Sequence, residues 1–263
     1  MKYVFMLVLL SSSLFCKVYY AKVEPYEIRN ISSNVVGLVL FIDEDMIGKV
    51  LTSSSYLKID SELDNKELKY IRDKLVYLQN TVKINKKVLK NLEDLLRKKR
   101  LNYEKIKSLK IKSVVEKDRE FYDLVSSENQ SLSTSKEIHN LSITIADLKL
   151  RKAHLIRSVR DKKLIAEGYM LYSLAVRSGQ VVGIATPLAQ VADISRAKLT
   201  LFLDEVDVKD AKTKKVYIDG KLSQYKVSRI LNIADSKNIS KYMAQIIIKS
   251  PTIFSKLVKI ELK

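Results

Sequence analysis

Between Lys49 and Glu167 the chain contains no Gly and no Pro, and apolar residues recur in alternating steps of three and four. The first run is Leu68, Ile71, Leu75, Leu78 and Val82, then Leu89, Leu92 and Leu96, then Tyr103 and Ile106, with Asn85 and Lys99 filling gaps in the same register. The second run is Ile138, Leu141, Ile145 and Leu148, then Leu155 and Val159. A seven-residue apolar repeat of this length predicts a coiled-coil seam. The absence of the strongest helix breakers permits it. The repeat weakens over 108–115, and 126–135 is rich in serine; both stretches read as interruptions between two seams. The turn is predicted at 110–113, leaving two arms of about 45 residues, each roughly 70 Å long at the helical rise. A single long helix and an intermolecular coiled coil are the competing readings. Near-equal arms favour an antiparallel hairpin, in which each arm covers the other's apolar stripe.

The flanks of this stretch read as strands, and they resemble each other. Before it stands VVGLVLFIDED, followed by LTSSSYLKIDSEL; after it stands IAEGYMLYSLAVRSGQVVGIATPLAQVADIS. Each has a Gly, alternating apolar residues, a polar turn and a short apolar strand. Gly37 aligns with Gly168, and Leu57-Lys58-Ile59-Asp60 with Leu188-Ala189-Gln190-Val191. Gly179 falls where a tight turn needs positive φ, and Gly183 closes the same loop. Neither half has strands enough to stand alone, so the two are expected to pair into one small β-sandwich. Beyond them, Leu199, Leu201 and Leu203 alternate with Thr200, Phe202 and Asp204. Val216 and Ile218 lead into Asp219-Gly220; 242–248 and 257–262 also read as strands. A small antiparallel barrel or sandwich is expected there. The predicted class is α+β and elongated.

Composition agrees. Of 263 residues only 6 are Gly and 3 Pro, whereas compact enzymes with many turns use both freely. The net charge of +18 comes from 48 Lys and Arg against 30 Asp and Glu. Residues 61–163 carry 26 basic and 15 acidic side chains, so the excess is spread along the helices. A Lys-rich solvated surface accounts for it. Nucleic-acid binding is a third-rank reading, because no aromatic stacking platform accompanies the charge. Lys2, the apolar run 3–10 and Ser11–Ser13 have the composition of a secretory signal peptide, placed over residues 1–21. The lone Cys16 can form no disulfide or zinc cluster within one chain. Phe15 before it departs from a lipidation site, so a lipid anchor at Cys16 is not the preferred reading.

The order signal peptide, half-lipoyl motif, coiled-coil hairpin, half-lipoyl motif, β-barrel resembles the HlyD-like membrane fusion proteins. These are periplasmic adaptors of tripartite efflux pumps and type I secretion systems. The resemblance covers 22–263 and is most specific at IAEGYMLYSLAVRSGQVVGIATPLAQVADIS and the following LTLFLDEVDV. Gly37-Leu38-Val39 fits the first half; Met46-Ile47-Gly48-Lys49 departs from the usual Gly-containing turn. The resemblance implies a strand at 22–34 joining the barrel and lipoyl halves at 35–60 and 165–195. It implies a hairpin at 61–164 and a barrel at 196–263. Gly37, Gly168, Gly179 and Gly183 become the structural turns, and no lipoylation or other cofactor is expected. It further implies a homo-oligomer, from trimer to hexamer, in the periplasm. This would bridge an inner-membrane transporter of RND or ABC type and a TolC-type outer-membrane channel. In the efflux adaptors an Arg-Leu-Ser signature docks on the channel. Aligned to it, YEKIKSLKIKSVVEKDREF puts Lys105 at the Arg position, Leu109 at the Leu position and Glu116 at the Ser position, with Lys112 and Ser113 nearby. Two of the three differ from the signature.

The chemistry of the rest is consistent with a protein that is not an enzyme. Arg97, Lys98, Lys99, Arg100, Lys105, Lys107, Lys110 and Lys112 face one acid, Glu104, in the tip segment. They read either as an electropositive tip meeting an acidic channel mouth or as a solvated helix end. His139 and His154, fifteen residues apart, cannot share a metal on one helix and read as exposed. Met46, Met170 and Met243 read as core filling. Gly179-Gln180-Val181-Val182-Gly183 lacks the ending of a phosphate loop. Asp204, Glu205 and Asp207 are expected to alternate along a strand on the barrel surface. An exported coiled-coil scaffold or tether without a transport role is the alternative function.

Overall fold

The computed structural model describes residues 17–234 and 241–263. In chain order the strands are β1 (Val18–Ser32), β2 (Gly37–Ile42), β3 (Leu57–Ile59), β4 (Lys163–Leu164), β5 (Met170–Leu174), β6 (Val181–Val182), β7 (Pro187–Asp204), β8 (Val216–Ile218), β9 (Lys221–Leu222), β10 (Val227–Ala234), β11 (Lys241–Lys249) and β12 (Leu257–Leu262). The helices among the described residues are α1 (Glu62–Ser108), α2 (Val114–Asp161) and the one-turn α3 (Glu205–Val208). The chain divides into two compact units, Met1–Lys58 with Leu164–Lys263, and Ile59–Lys163.

In the first unit the large sheet runs β10-β11-β7-β1-β12-β8-β9, with β5 also paired to β7. Strand β1 serves two partners: Val18–Lys22 pair with β12, and the stretch from Val23 to Ser32 pairs with β7. The register shifts between Pro25 and Glu27, where proline can donate nothing to the ladder. The alternation read along β7 is real: Leu199, Leu201 and Leu203 are fully buried, while Thr200 and Phe202 are half-buried. They pack with Ala21, Val23, Ile246 and Ile260 into one apolar core. The 219–220 turn has φ of 49° and 79°, the two positive values of a primed hairpin turn, and the Asp219 carboxylate accepts from Lys259 N–H at 2.9 Å.

A second sheet, β4-β3-β2-β6, buries Leu57 and Ile59. The two sequence-similar halves do not fold side by side; they exchange backbone hydrogen bonds. Gly48 N–H donates to Leu171 O at 2.8 Å, and Gly179 N–H donates to Val39 O at 2.8 Å. Val50 bridges to Met170, and Val182 pairs with Gly37. Thus each half's turn is held by the other half's strand, and Val39 and Leu171, the two acceptors, are both fully buried.

The second unit is a pair of helices of 47 and 48 residues. They run antiparallel: Arg151 pairs with Glu67, Ser158 Oγ donates to Asp64 at 2.9 Å, and at the other end Lys99 Nζ lies 2.7 Å from Asp123. The break between them, 109–113, falls where the seven-residue repeat weakens. Burial resists ionisation of Asp64, but hydrogen bonds from Lys162 and Ser158 outweigh it and hold the carboxyl below its ordinary range.

Three expectations need correction. The serine-rich stretch does not interrupt the seam. Helix α2 runs through it, and Ser127 and Ser131 are buried at the spacing of Leu124 and Ile138. Serine in a helix satisfies its hydroxyl on the preceding turn, as Ser127 Oγ does on Asp123 O at 3.0 Å. The small side chain then occupies a seam position without leaving a polar atom stranded. Second, Glu205–Val208 are helical, so the acids beyond Asp204 do not alternate on a strand. Asp207 instead accepts from Tyr19 Oη and lies 3.5 Å from Lys214 Nζ. Burial, with this bond, raises the Tyr19 phenol. Third, the signal peptide placed over 1–21 overlaps β1: Tyr19 and Ala21 are buried in the core. Its n-region, apolar run and Cys16 lie outside the described residues.

Along β12, Glu261 stands between Lys259 at 2.7 Å and Lys263 at 2.6 Å. Their hydrogen bonds pull its carboxyl from the ordinary 4.5 down to about 2. A folded-state value below the unfolded one adds stability that is complete above the unfolded value and lost as pH falls through the folded one. We expect the melting temperature of Glu261→Gln to lie below that of the wild type at neutral pH. The gap should close as pH is lowered from about 4.5 toward about 2, read by thermal melts across that range.

Candidate partner-docking surfaces

The hairpin tip is built by its caps. Helix α1 ends when Leu109 turns extended at φ −77° and ψ 124°, and Leu109 N–H donates to Ile106 O at 3.1 Å. Helix α2 opens with Ser113 as N-cap in a capping box. Glu116 N–H donates to Ser113 Oγ at 3.2 Å, and Ser113 N–H donates to Glu116 Oε2 at 3.0 Å. These bonds satisfy donors that a helix start leaves free. Lys112 Nζ lies 3.0 Å from Glu116 Oε1. That bond, then those from Ser113, hold the exposed Glu116 carboxyl below its usual range.

Of the five tip residues singled out by sequence, the structure therefore brings Lys112, Ser113 and Glu116 into one cluster. It leaves Lys105 on the last turn of α1 and Leu109 at the break, both exposed. The basic run is partly neutralised: Arg97 pairs with Asp94, Lys99 with Asp123 and Arg100 with Glu128. Lys107 lies 5.9 Å from the Tyr103 ring centre. Lys98, Lys105 and Lys110 carry no ion pair among the described residues.

The helix pair has a second apolar surface that the sequence reading passed over. Leu63, Tyr70, Tyr77 and Ile84 stand seven residues apart on α1, and Val88 and Leu95 continue the stripe at the intervening spacing; all are exposed. On α2, Leu132, Ile143 and Leu150 are exposed along another stripe. A strict seven-residue count from Leu63 was the available signal; it was hidden because the buried stripe has the same period. His139 and His154 are exposed, as expected.

The four glycines named as turns divide. Gly168 and Gly179 have φ of 82° and 85°, whereas Gly37 lies in β2 and Gly183 is not in the left-handed region. Gly48, at φ 81°, was missed as a turn residue although it stands in Met46-Ile47-Gly48-Lys49. It is the counterpart of Gly179, 131 positions earlier.

Among the described residues no group of three or more His, Cys, Asp or Glu is placed to hold a metal ion. No helix there is long and apolar enough to cross a membrane. No family model and no curated protein matches the sequence. Solved structures do match. MacA from Actinobacillus actinomycetemcomitans aligns over 94% of this chain and 78% of its own, at 17% identity and a TM-score of 0.64. A MacA-MexA chimeric protein with the Pseudomonas aeruginosa MexA α-hairpin domain aligns over 94% and 80%, at 14% identity and 0.55. The membrane fusion protein Spr0693 from Streptococcus pneumoniae R6 aligns over 94% and 98%, at 11% identity and 0.54. The chain has the fold of the membrane fusion proteins, and the resemblance read from its sequence holds at that level.

Two substitutions test this geometry. Asn85 Nδ2 is buried in the α1 seam with no hydrogen-bond partner. An unsatisfied buried donor costs about 1–3 kcal/mol, so Asn85→Leu is expected to raise the stability of the helix pair by an amount of that order, read by denaturant unfolding followed by helical circular dichroism. At Gly179 a Cβ would meet open space, so only the backbone resists substitution. Gly179→Val is expected to destabilise the first unit by about 1–3 kcal/mol, and Gly179→Asn by less, because Asn tolerates positive φ.

Proposed function

We propose that this chain is a periplasmic adaptor that links an inner-membrane transporter to a TolC-type outer-membrane channel for efflux or secretion. The observation that carries the reading is one of order and pairing. A long antiparallel helix pair lies, in sequence, between two strand-and-turn halves, and those halves hold each other through Gly48–Leu171 and Gly179–Val39. In this reading 35–60 and 165–195 are lipoyl-like halves, 61–164 is a coiled-coil hairpin and 196–263 a barrel domain. The strand before the halves joins that barrel. The role is architectural, not enzymatic. Export by the N-terminal segment places the protein in the periplasm beside the inner membrane, and the transporter is of RND or ABC type.

The exposed stripes support a homo-oligomer, trimer to hexamer. Helices that carry two apolar stripes have two neighbours to cover them; one stripe here is covered within the hairpin, and the α1 stripe from Leu63 to Leu95 is left for a second copy. Tyr77→Lys with Ile84→Lys is expected to convert the assembled protein to monomer, read by mass photometry, without loss of helical signal. Assembly unchanged by the double substitution would remove this flank from the interface. For the adaptor role as a whole, deletion of the gene is expected to sensitise cells to toxic compounds or to block secretion of a substrate. Wild-type behaviour on both counts would favour the scaffold alternative.

A further inference from the structure

Strand β1 changes partner after Lys22 and loses register between Pro25 and Glu27. A cavity of about 350 Å³ opens beside this irregular stretch. Strand pairing explains which side chains meet there. Ile28 and Met170 are both register partners of Ala192, from opposite sides, so all three lie on one face of the sheet. Tyr172 falls in a second register shift, between Leu171 and Ser173, and an extra residue at such a place re-aims a side chain. Phe254 closes the cavity from the segment before β12. The next residue, Ser255, has φ of 66°, a conformation that persists only where the surroundings enforce it. Ser255 N–H donates to Val23 O at 2.7 Å, and Val23 N–H donates to Lys256 O at 2.9 Å. These bonds hold Phe254 at the cavity wall.

The lining is apolar in its body and cationic at its edge. Ile28, Met170, Tyr172 and Phe254 supply the apolar part; Ile28 is 48% exposed and Tyr172 52%. Lys22 and Glu24 stand two residues apart on β1, and Glu24 is the register partner of Lys198, so these three share a face. Glu24 Oε2 accepts from Thr200 Oγ1 at 3.3 Å. Lys22 and Lys198 make no ion pair among the described residues. Lys198 also lines a neighbouring cavity of about 320 Å³, where Arg229, likewise without an ion pair among the described residues, adds positive charge.

We propose that the cavity at Ile28, Met170, Tyr172 and Phe254 binds an amphipathic anion, its apolar chain against these four side chains and its carboxylate or phosphate at Lys22 and Lys198. A few hundred Å³, a mostly apolar lining and a few polar groups are the properties of a small-molecule site. Two ammonium groups against one carboxylate select a negative head; a cationic amphiphile would meet repulsion. Hydrogen bonds from ammonium to carboxylate or phosphate are about twice as strong as neutral ones. A free fatty acid and a membrane phospholipid offer the same chemistry. The inference is independent of what the chain links, and its failure leaves the adaptor reading standing.

The test uses the purified full-length protein, labelled with carbon-13 at its methionine methyls and titrated with decanoate below its micelle-forming concentration. The Met170 signal, assigned through Met170→Leu, reports on the site, and calorimetry gives the affinity. We expect saturable binding with a Kd below about 1 mM and a shift of the Met170 signal. Octanoate should bind about tenfold more weakly, because two fewer methylenes are buried. Lys22→Gln with Lys198→Gln should weaken decanoate by at least about tenfold and leave decanol within about twofold. Neither lysine belongs to the apolar core, so the thermal melt should not change. Flotation with vesicles of phosphatidylglycerol and phosphatidylethanolamine is the second arm. Flotation abolished by the lysine pair and, separately, by Ile28→Asp assigns the site to membrane phospholipid; decanoate binding without flotation assigns it to a free amphiphile. No response to either probe, a Met170 signal unmoved on binding, octanoate equal to decanoate, or a lysine variant equal to the wild type overturns the proposal.

Discussion

The structure depends on the chain coming back. A stretch of about a hundred residues leaves after β3 and must return to the same place, and closing so long a loop is entropically unfavourable. Two sets of backbone hydrogen bonds hold the return. Tyr56 N–H donates to Leu164 O at 3.1 Å, and the paired turns at Gly48 and Gly179 each bind the opposite half. Neither half satisfies its own strand edge. Each half's turn is held by a strand of the other, which couples the two distant segments. Tyr56, whose burial pushes its phenol up to about 12, lies at this junction.

The helix pair meets the same demand differently. A coiled-coil seam made wholly of leucine would be stable but indifferent to register. Here the seam carries Asn85, Lys99, Ser127 and Ser131. Lys99 reaches across to Asp123 and to Ser127 Oγ, at 2.7 and 2.8 Å, which is possible only in one alignment of the helices. At the opposite end Asp64 gathers Ser158 and Lys162. Lys99 with Asp123 and Ser127, and Asp64 with Ser158 and Lys162, define which residues face each other; Asn85 Nδ2 has no such partner. Stability rests on the apolar majority; alignment rests on these few.

The exposed surface follows the same division of labour. Charge is distributed along both helices, and much of it at the basic end of α1 is locally paired. The apolar residues left outside are ordered, a stripe along one flank of α1 and a cluster at the break between helices. Scattered apolar exposure is ordinary in folded proteins; a seven-residue period and a cluster of exposed aliphatic residues at the helix break are not scatter.

The amino-acid sequence by itself determined the types of the long elements, though not the one-turn helix at Glu205–Val208. Period governs this: a seven-residue repeat without Gly or Pro can be covered only as paired helices, and the alternation along 199–203 can be covered only as a strand with one buried face. It also placed the helix break and the positive-φ turn at Gly179, because backbone conformation there is a local property. Partnership was left to the tertiary structure. That Ser127 and Ser131 belong to the seam could not be read from polarity, since a buried hydroxyl is tolerated only when a helix carbonyl one turn back accepts its proton. That Gly48 is the counterpart of Gly179 depends on which strand of the other half receives its N–H. That Lys112, Ser113 and Glu116 face one another and leave the aliphatic residues outward depends on how the loop closes. Hydrogen bonds and burial between residues far apart in the chain exist only once the chain has folded, and pattern along one dimension does not contain them.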